Sequence, residues 1–289
     1  MDKNRKIAEA VTLSHVSSIT VSSLHIHPVK SCRAIAVEEA AFDALGMVDD
    51  RRFLIVDSAG NFLTQRSDAR LALIETDFAD GSLILRTPNA REFRLPLDTP
   101  STGDRSITIF RDTVMAGDMG DAAAFWLSAV LAKPSRLVRA GADFSRRVPL
   151  ERIPPAHVGS LPEVPVAFVD AFPVLVISES SLEHLNAKLE EPLPMNRFRP
   201  NIVVRGGAEH AEDRWKVVRV GGVEFRAGGD CGRCVVSTTD QETGERGPEP
   251  LVTLAKYRRD DRGAVTFGQY WMHCGPGTIR VGDAVEIVA

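Results

Sequence analysis

Short alternating blocks dominate the first half of the chain. Ile19-Thr20-Val21, Leu24-His25-Ile26, Ala36 to Leu45, Arg52 to Asp57, Leu71 to Asp77, Ser82 to Arg86, Glu92 to Leu97 and Ser106 to Phe110 read as strands, because apolar and β-branched residues recurring at a period near two suit a strand with one face buried. Turn signals at Ala59-Gly60-Asn61, Asp80-Gly81, Thr87-Pro88-Asn89 and Thr102-Gly103-Asp104 separate them, about one every ten residues. This half predicts a closed or sandwiched β-sheet.

A helical stripe follows. Trp126, Leu127, Val130 and Leu131 share a face, Asp118 offers an N-cap with Asp121 three residues on, and Pro134 stops the pattern. Five prolines then fall within Arg146 to Pro165, which predicts a long surface excursion of a second domain, with the boundary near residue 137. The division expected is 18–137 and 138–289.

The second half resumes with an apolar run, Val174 to Ile177. Ser180 and Glu183 have capping-box spacing, opening a helix with Leu182, Leu185 and Leu189 on one side and Pro192 at its end. Further strands are expected at Asn201 to Val204, Trp215 to Val220, Gly222 to Arg226, Val235 to Thr239 and Thr266 to Tyr270, and the end, Gly277 to Val288, reads as two strands with Gly282-Asp283 turning between them. The fold class is mainly β with flanking helices (α+β).

Composition narrows the function. The chain has 289 residues, 44% hydrophobic and 26% charged, enough apolar material for one large or two ordinary folded domains. Its longest apolar run, Ala171 to Ile177, is seven residues, against the roughly twenty a membrane helix needs. Met1 to Ala8 is charged but is not followed by an apolar block of about 7–15 residues, so no secretory signal is expected and the cytoplasm is the default compartment. Lysine and arginine total 35 against 39 acids, a net −4 with no basic run longer than two, which gives nucleic-acid binding no electrostatic support.

Four cysteines, Cys32, Cys231, Cys234 and Cys274, do not make a disulfide framework in such a chain. Cys231-Gly232-Arg233-Cys234 is expected on a loop between strands, where rigid sheet displays reactive groups, and Arg233 would favour a thiolate. Several readings stay open on the residues alone: a zinc site completed by His273 and Cys274, a thioredoxin-like dithiol, two inert cysteines, or one thiolate on a transition metal. Adjacent strand residues point to opposite faces, which argues against His273 and Cys274 sharing one ion. Lys30-Ser31, Asp50-Arg51-Arg52 and Arg199-Pro200-Asn201 add cations at strand ends, the residue types that hold phosphates and planar heterocycles.

In order, Pro28-Val29-Lys30-Ser31-Cys32, Asp50-Arg51, Asn61-Phe62-Leu63-Thr64-Gln65-Arg66, Ile177 to Leu182, Asn196 to Ile202, Cys231 to Cys234 with Thr238 to Gly244, Leu254 to Arg258 and Phe267-Gly268-Gln269-Tyr270 resemble the MOSC proteins with an N-terminal MOSC β-barrel domain. That group includes the mitochondrial amidoxime-reducing components and bacterial relatives. The resemblance runs from about residue 20 to the C-terminus and implies an N-terminal β-barrel-like domain followed by a MOSC β-barrel domain.

It also implies a molybdenum cofactor, molybdopterin carrying Mo, with Cys234 as both metal ligand and catalytic residue. Lys30, Ser31 and Arg51 would bind the cofactor from the first domain, and Asp170, Ser178, Arg199, Asn201, Gly232 and Arg233 from the second. Cys231 then stands beside the ligand without binding the metal. Arg52 replaces an aromatic residue of the animal members, and Gly232 and Ala171 stand where relatives can carry hydroxyls. The implied activity is reduction of small N-hydroxylated compounds, amidoximes, hydroxylamines and hydroxylated nucleobases. No C-x₄-C-x₂-C set precedes Ala289, so electrons are expected from a separate flavin or haem protein that docks transiently. A cofactor carrier or a sulfur-transfer protein is the alternative. His273 and Asp240 are expected to be structural or solvent-facing.

Overall fold

The computed structural model describes residues 18–157, 161 and 163–289; the charged start at Met1 to Ala8 lies outside them. In chain order the first strands are β1 (Thr20–Ile26), β2 (Ile35–Val37), β3 (Glu39–Asp43), β4 (Gly46–Met47) and β5 (Phe53–Asp57). They are followed by β6 (Glu75–Ala79), β7 (Ser82–Thr87), β8 (Ala90–Pro96), β9 (Asp104–Ile109) and β10 (Asp112–Asp118). Helix α1 (Asp121–Leu131) and β11 (Ser135–Arg139) complete the first half. The second half contains β12 (Val174–Ser178), α2 (Glu179–Asn186), β13 (Ile202–Arg205), β14 (Val217–Val220) and β15 (Val223–Gly232). It ends with α3 (Leu251–Leu254), β16 (Thr266–His273), β17 (Gly277–Arg280) and β18 (Val285–Ile287). The mainly β class with flanking helices is what the sequence pattern leads one to expect.

The strands form four sheets: β18-β14-β15-β16-β12-β13-β1-β2, β5-β11-β10-β9, β17-β3-β4 and β6-β7-β8. Sheet membership cuts across chain order, because β1 pairs with β13 and β3 with β17, which carries β2 and β4 into the same sheets. Residue 137 lies inside β11, which pairs with β5 from Ser135↔Asp57 to Arg139↔Phe53. Strand β12 reads Val-Leu-Val-Ile-Ser with every residue buried, as its place between parallel β13 and antiparallel β16 requires. Helix α2 is the crossover between β12 and β13. Gly268 lets β16 approach β12 closely; its φ is +78°, and a Cβ there would sit 2.6 Å from Ile177 Cγ1 and 2.7 Å from the Val176 carbonyl oxygen.

Several local expectations fail for identifiable reasons. Ala36 to Leu45 is broken into β2 and β3, and Leu71 lies in a 3₁₀ turn, Ala69–Leu73, before β6. Helix α1 starts at Asp121 behind Gly120, because the Asp118 carboxylate is held by Arg105 and Arg136 and reaches only the Gly120 amide. Helix α2 is capped by Ser178, whose hydroxyl accepts from the Ser181 amide at 3.1 Å, and it ends at Asn186, short of Pro192. Buried Glu212 holds that cap by accepting from the Ser178 amide, the Ser178 hydroxyl and the Ser181 hydroxyl.

The Pro-rich stretch is not a mere surface excursion. Val148, Ile153 and Val164 are buried with Val166, Val169, Phe172 and Met272 in a core of their own, and the Val148 and Val166 amides bond the Val164 and Arg146 carbonyls.

Candidate functional site

The Cys231-to-Cys234 segment is only half a loop. Strand β15 runs through Gly232, with register shifts between Ala227 and Gly229 and between Asp230 and Gly232. Those bulges bend the strand end and re-aim its side chains. Where a strand is expected from Val235 to Thr239, Val235–Thr238 is a 3₁₀ turn with Cys234 at its N-cap position. Its Ser and Thr hydroxyls bond back to the chain: Ser237 Oγ to the Cys234 carbonyl at 3.0 Å and Thr238 Oγ1 to the Val235 carbonyl at 2.9 Å. Such local bonds compete with a ladder and override β-branched propensity.

A cavity of about 280 Å³ opens in front of Cys234. Lys30, Ser31, Arg51, Asp170, Arg199, Asn201, Gly232, Arg233 and Cys234 all line it, joined by Thr64, Arg66, Phe110, Arg152, Arg197 and Tyr270. Nine of the ten residues singled out from the sequence therefore meet in one place. Ser178 does not; its hydroxyl caps α2 and is buried against Glu212, so a cofactor contact is not open to it. His273 bonds the Asp43 carbonyl at 2.8 Å, and Asp240 accepts from the Glu242 and Thr243 amides and pairs with Arg197; neither lines the cavity. Among the described residues no three His, Cys, Asp or Glu side chains gather as a metal cluster, which leaves the zinc reading without a ligand set.

The lining is strongly basic. Lys30, Arg51, Arg66, Arg152, Arg197, Arg199 and Arg233 face one carboxylate, Asp170, in a chain whose net charge is −4. Backbone strain gathers at the same place. Ser31 (φ 70°), Arg51 (φ 50°) and Arg199 (φ 57°) are non-glycine residues in the left-handed region, a conformation that persists only where surrounding structure enforces it and that clusters at functional sites.

The cations differ in how far they are committed. Lys30 is buried, donates to the Phe168 carbonyl at 2.8 Å and pairs with Asp170. Burial lowers its pKa to about 8 even though Asp170 supports the charge. Desolvation at the cavity wall would raise Asp170, although its side chain is half exposed, but the charges of Lys30, Arg66 and Arg51 outweigh it and hold the carboxylate well below its ordinary range. Arg51 donates to buried Asp50 and, at 3.0 Å, to Asn201 Oδ1. Asn201 also accepts from the Leu175 amide and donates to the His25 carbonyl, so its oxygen and one N–H go to placing Arg51 between β1 and β12. Arg233 is a brace: its guanidinium donates to the Phe267 and Phe198 carbonyls and stands 5.3 Å over the Phe198 ring.

Arg199 is different. Its Nη1 reaches Gln241 Oε1 at 3.3 Å, while Nη2 is buried with no partner. Burial, and then the Arg51 charge, lowers its pKa to about 10. An unpaired buried guanidinium nitrogen is costly unless an anion meets it. Arg66, which no sequence signal assigns to the site, lies 3.5 Å from Asp170 and within hydrogen-bonding reach of the Cys234 thiol, over the Phe110 ring. Its only sequence signal is its place in Asn61 to Arg66. Cys231 is buried beside Tyr270, and burial pushes its thiol pKa up against the pull of Arg233 and the Tyr270 hydrogen bond. Cys32 is core, its thiol driven to about 12 by burial.

These groups fit the anionic, soft-metal cofactor that the resemblance implies: one thiol at the cavity wall, a partnerless guanidinium nitrogen, and a cationic lining contributed by both halves of the chain.

The MOSC N-terminal beta barrel domain family matches residues 18–134, and the MOSC domain family matches residues 163–286. The chain is 36% identical to mitochondrial amidoxime-reducing component 1 of Xenopus laevis over 97% of this chain and 85% of that protein. It is 35% identical to the Homo sapiens protein of the same name over 93% of this chain and 83% of that one. The solved YUAD protein of Bacillus subtilis overlaps 93% of this chain and 94% of its own, at 12% identity and a TM-score of 0.40. The relatives are mitochondrial by name, which overturns the cytoplasmic expectation; that expectation rested on a charged start with no apolar block after it, and a secretory signal is not the only address a chain can carry. No helix among the described residues is long and apolar enough to cross a membrane. With a MOSC N-terminal β-barrel domain, a MOSC domain and close to full-length kinship at about 35% identity, the chain belongs to the MOSC family that contains the mitochondrial amidoxime-reducing components.

Proposed function

We propose that the protein is a molybdenum-cofactor-dependent oxidoreductase that reduces small N-hydroxylated compounds with electrons delivered by a separate flavin or haem protein. The observation that carries this reading is the single cavity in which Cys234 shares a wall with Lys30, Ser31, Arg51 and Arg199. The relatives are named for amidoxime reduction, and the cavity has the donor chemistry such a reaction needs.

When bound, the cofactor supplies a redox-active metal for two-electron reduction of an N–O bond. Cys234 is the residue that would hold the metal, since a thiolate is the soft donor of the lining. Arg199 and Arg51, with Ser31 and Lys30, would hold the anionic and pterin portions, the guanidinium forks matching phosphate oxygens. Gly232 presents no side chain at the wall, and a Cβ there would meet nothing within 4 Å. Arg66 keeps a positive charge against the Cys234 sulfur, Asp170 holds Lys30 and Arg66 in place, and Arg233 and Asn201 brace the frame from behind.

The test combines metal content with turnover. Protein from a host able to make the cofactor should contain molybdenum and reduce benzamidoxime with an artificial electron donor. Cys234→Ser should lose activity by more than the ~10–100-fold that removing an outer partner of a metal costs. Full metal and full activity in Cys234→Ser would overturn the ligand assignment, stoichiometric zinc alone would restore the zinc reading, and loaded protein that releases cofactor but never turns over would make it a carrier.

A further inference from the structure

Two glutamines, each within one of the sequence motifs and neither in the cavity lining, meet behind its wall. Gln65 follows Thr64 on the first half of the chain, and Gln241 follows Asp240 on the second. Both are buried, at 0% and 4% exposure. Gln65 Nε2 donates to Gln241 Oε1 at 2.9 Å, and Gln241 Nε2 donates back to Gln65 Oε1 at 3.1 Å. The two amides thus close a ring. Each has one further bond: Gln65 Nε2 donates to the Ser31 carbonyl at 2.8 Å, and Gln241 Nε2 to the Thr239 carbonyl at 3.0 Å. Gln241 Oε1 also accepts from Arg199 Nη1 at 3.3 Å.

The connections run from the Ser31 turn through Gln65 and Gln241 to Arg199. Both ends carry backbone in the left-handed region, at φ 70° and 57°, and both line the cavity. Both strained residues therefore need an outside hold. The chemistry of that hold matters. A carboxylate at position 241 would make a charged bridge to Arg199 and cancel part of its field. An amide oxygen orients the guanidinium and leaves its charge uncompensated, with Nη2 unpartnered.

We infer that Gln65 and Gln241 are positioning residues that set the Ser31 turn and Arg199 against each other while keeping Arg199 electrostatically available to an anion in the cavity. This rests on the reading of that cavity as an anion-binding site. A neutral clamp makes the two halves of the chain contribute to one binding surface at no cost in charge. It also explains why two polar side chains are retained in the interior: each nitrogen donates twice and each oxygen accepts, so few polar atoms of the pair are wasted.

The experiment uses cofactor-free full-length protein and inorganic phosphate as the probe, with affinity read by calorimetry and stability by thermal melting. Gln241→Glu keeps the shape and adds a charge beside Arg199. It should bind phosphate about tenfold more weakly, because the new carboxylate pairs with Arg199, and should also melt below wild type, because Gln65 Oε1 and the Thr239 carbonyl lose the Nε2 donor. Gln241→Met removes the clamp without adding charge and should weaken phosphate about two- to fivefold, less than Gln241→Glu does, while also lowering the melting temperature. A merely structural pair would move melting and leave phosphate affinity alone in both variants, which would overturn the inference. Should Gln241→Glu not fold, Gln241→Met decides by itself, and unchanged phosphate affinity there overturns it. Wild-type protein that binds no phosphate overturns the anion-site reading and the clamp with it; wild-type binding with Gln241→Glu unchanged overturns the clamp alone.

Discussion

Among the arginine clusters of this molecule, two have opposite designs. At the end of β10, Asp118 accepts from Arg105 at 2.9 Å and from Arg136 through two nitrogens, and Arg136 also reaches Asp121 at 3.0 Å. Every charge there has a counter-charge. In the cavity, Arg199 is matched only by an amide oxygen and Arg51 shares Asp50 with His27, while Lys30 and Arg66 divide the one lining carboxylate. The contrast teaches that arginine content says little and that the partners decide. A cluster saturated with carboxylates holds structure; one left short of them is arranged for an anion that comes from outside.

The largest expected effect comes from removing one guanidinium from each cluster. Arg199→Gln should weaken phosphate binding by about 10–100-fold, the worth of a charge-assisted hydrogen bond. Arg136→Gln should leave phosphate affinity within about twofold of wild type and instead cost roughly 1–3 kcal/mol in denaturant unfolding, because Asp118 stays buried with less support. Equal losses of phosphate affinity in the two variants would erase the distinction.

A smaller effect follows from Lys30, whose burial leaves it with a pKa of about 8. Its charge is lost as pH rises through about 8, so phosphate affinity should fall about two- to threefold more in wild type than in Lys30→Arg between pH 7 and 9; the comparison cancels the titration of phosphate itself. Stability moves the other way. The folded pKa lies below the unfolded one, the unfolded chain binds more protons between about pH 8 and 10.4, and folding is favoured as pH rises through that window. Parallel pH profiles for the two proteins would show that Lys30 does not face the anion.

The smallest effect belongs to the saturated cluster. Burial alone would raise Asp118, but Arg136, the Gly120 amide and Arg105 lower it to about 2. The carboxylate therefore adds stability that is complete above about pH 4 and fades as pH falls through about 2. Asp118→Asn should melt ~2–4 °C below wild type at pH 6 and approach it near pH 2. A gap that is constant with pH would mean that the arginines contribute packing and not charge.

The alternating blocks made β1, β5, β7 and β8 legible, and the all-apolar stretch before Ser178 made β12 legible. Strands β10 and β11 escaped because neither reads as a separate alternating run beside its turn signals; they are strands because β9 and β5 offer open edges to pair with. The site was legible as a set of short motifs. Nine of its residues were named from those motifs, whereas Ser178 was claimed by Glu212, thirty-four positions away. Arg66 and the two glutamines stood in quoted segments, yet no spacing rule marks a residue whose partner lies across the chain: Gln65 and Gln241 are separated by 176 positions.

By itself the sequence determined the β-rich class, the order of the strands it could express as periodicity and the family resemblance, from which the proposal of Cys234 as the metal-facing cysteine follows. Only the tertiary structure decided which of 35 basic residues surround that cysteine, which of them are already paired, and that β1 to β4 join the sheets of the second half. The reason is physical. Periodicity is written in neighbours along the chain, while charge compensation depends on groups brought within a few ångströms by folding, and burial then decides how strongly each of them is felt.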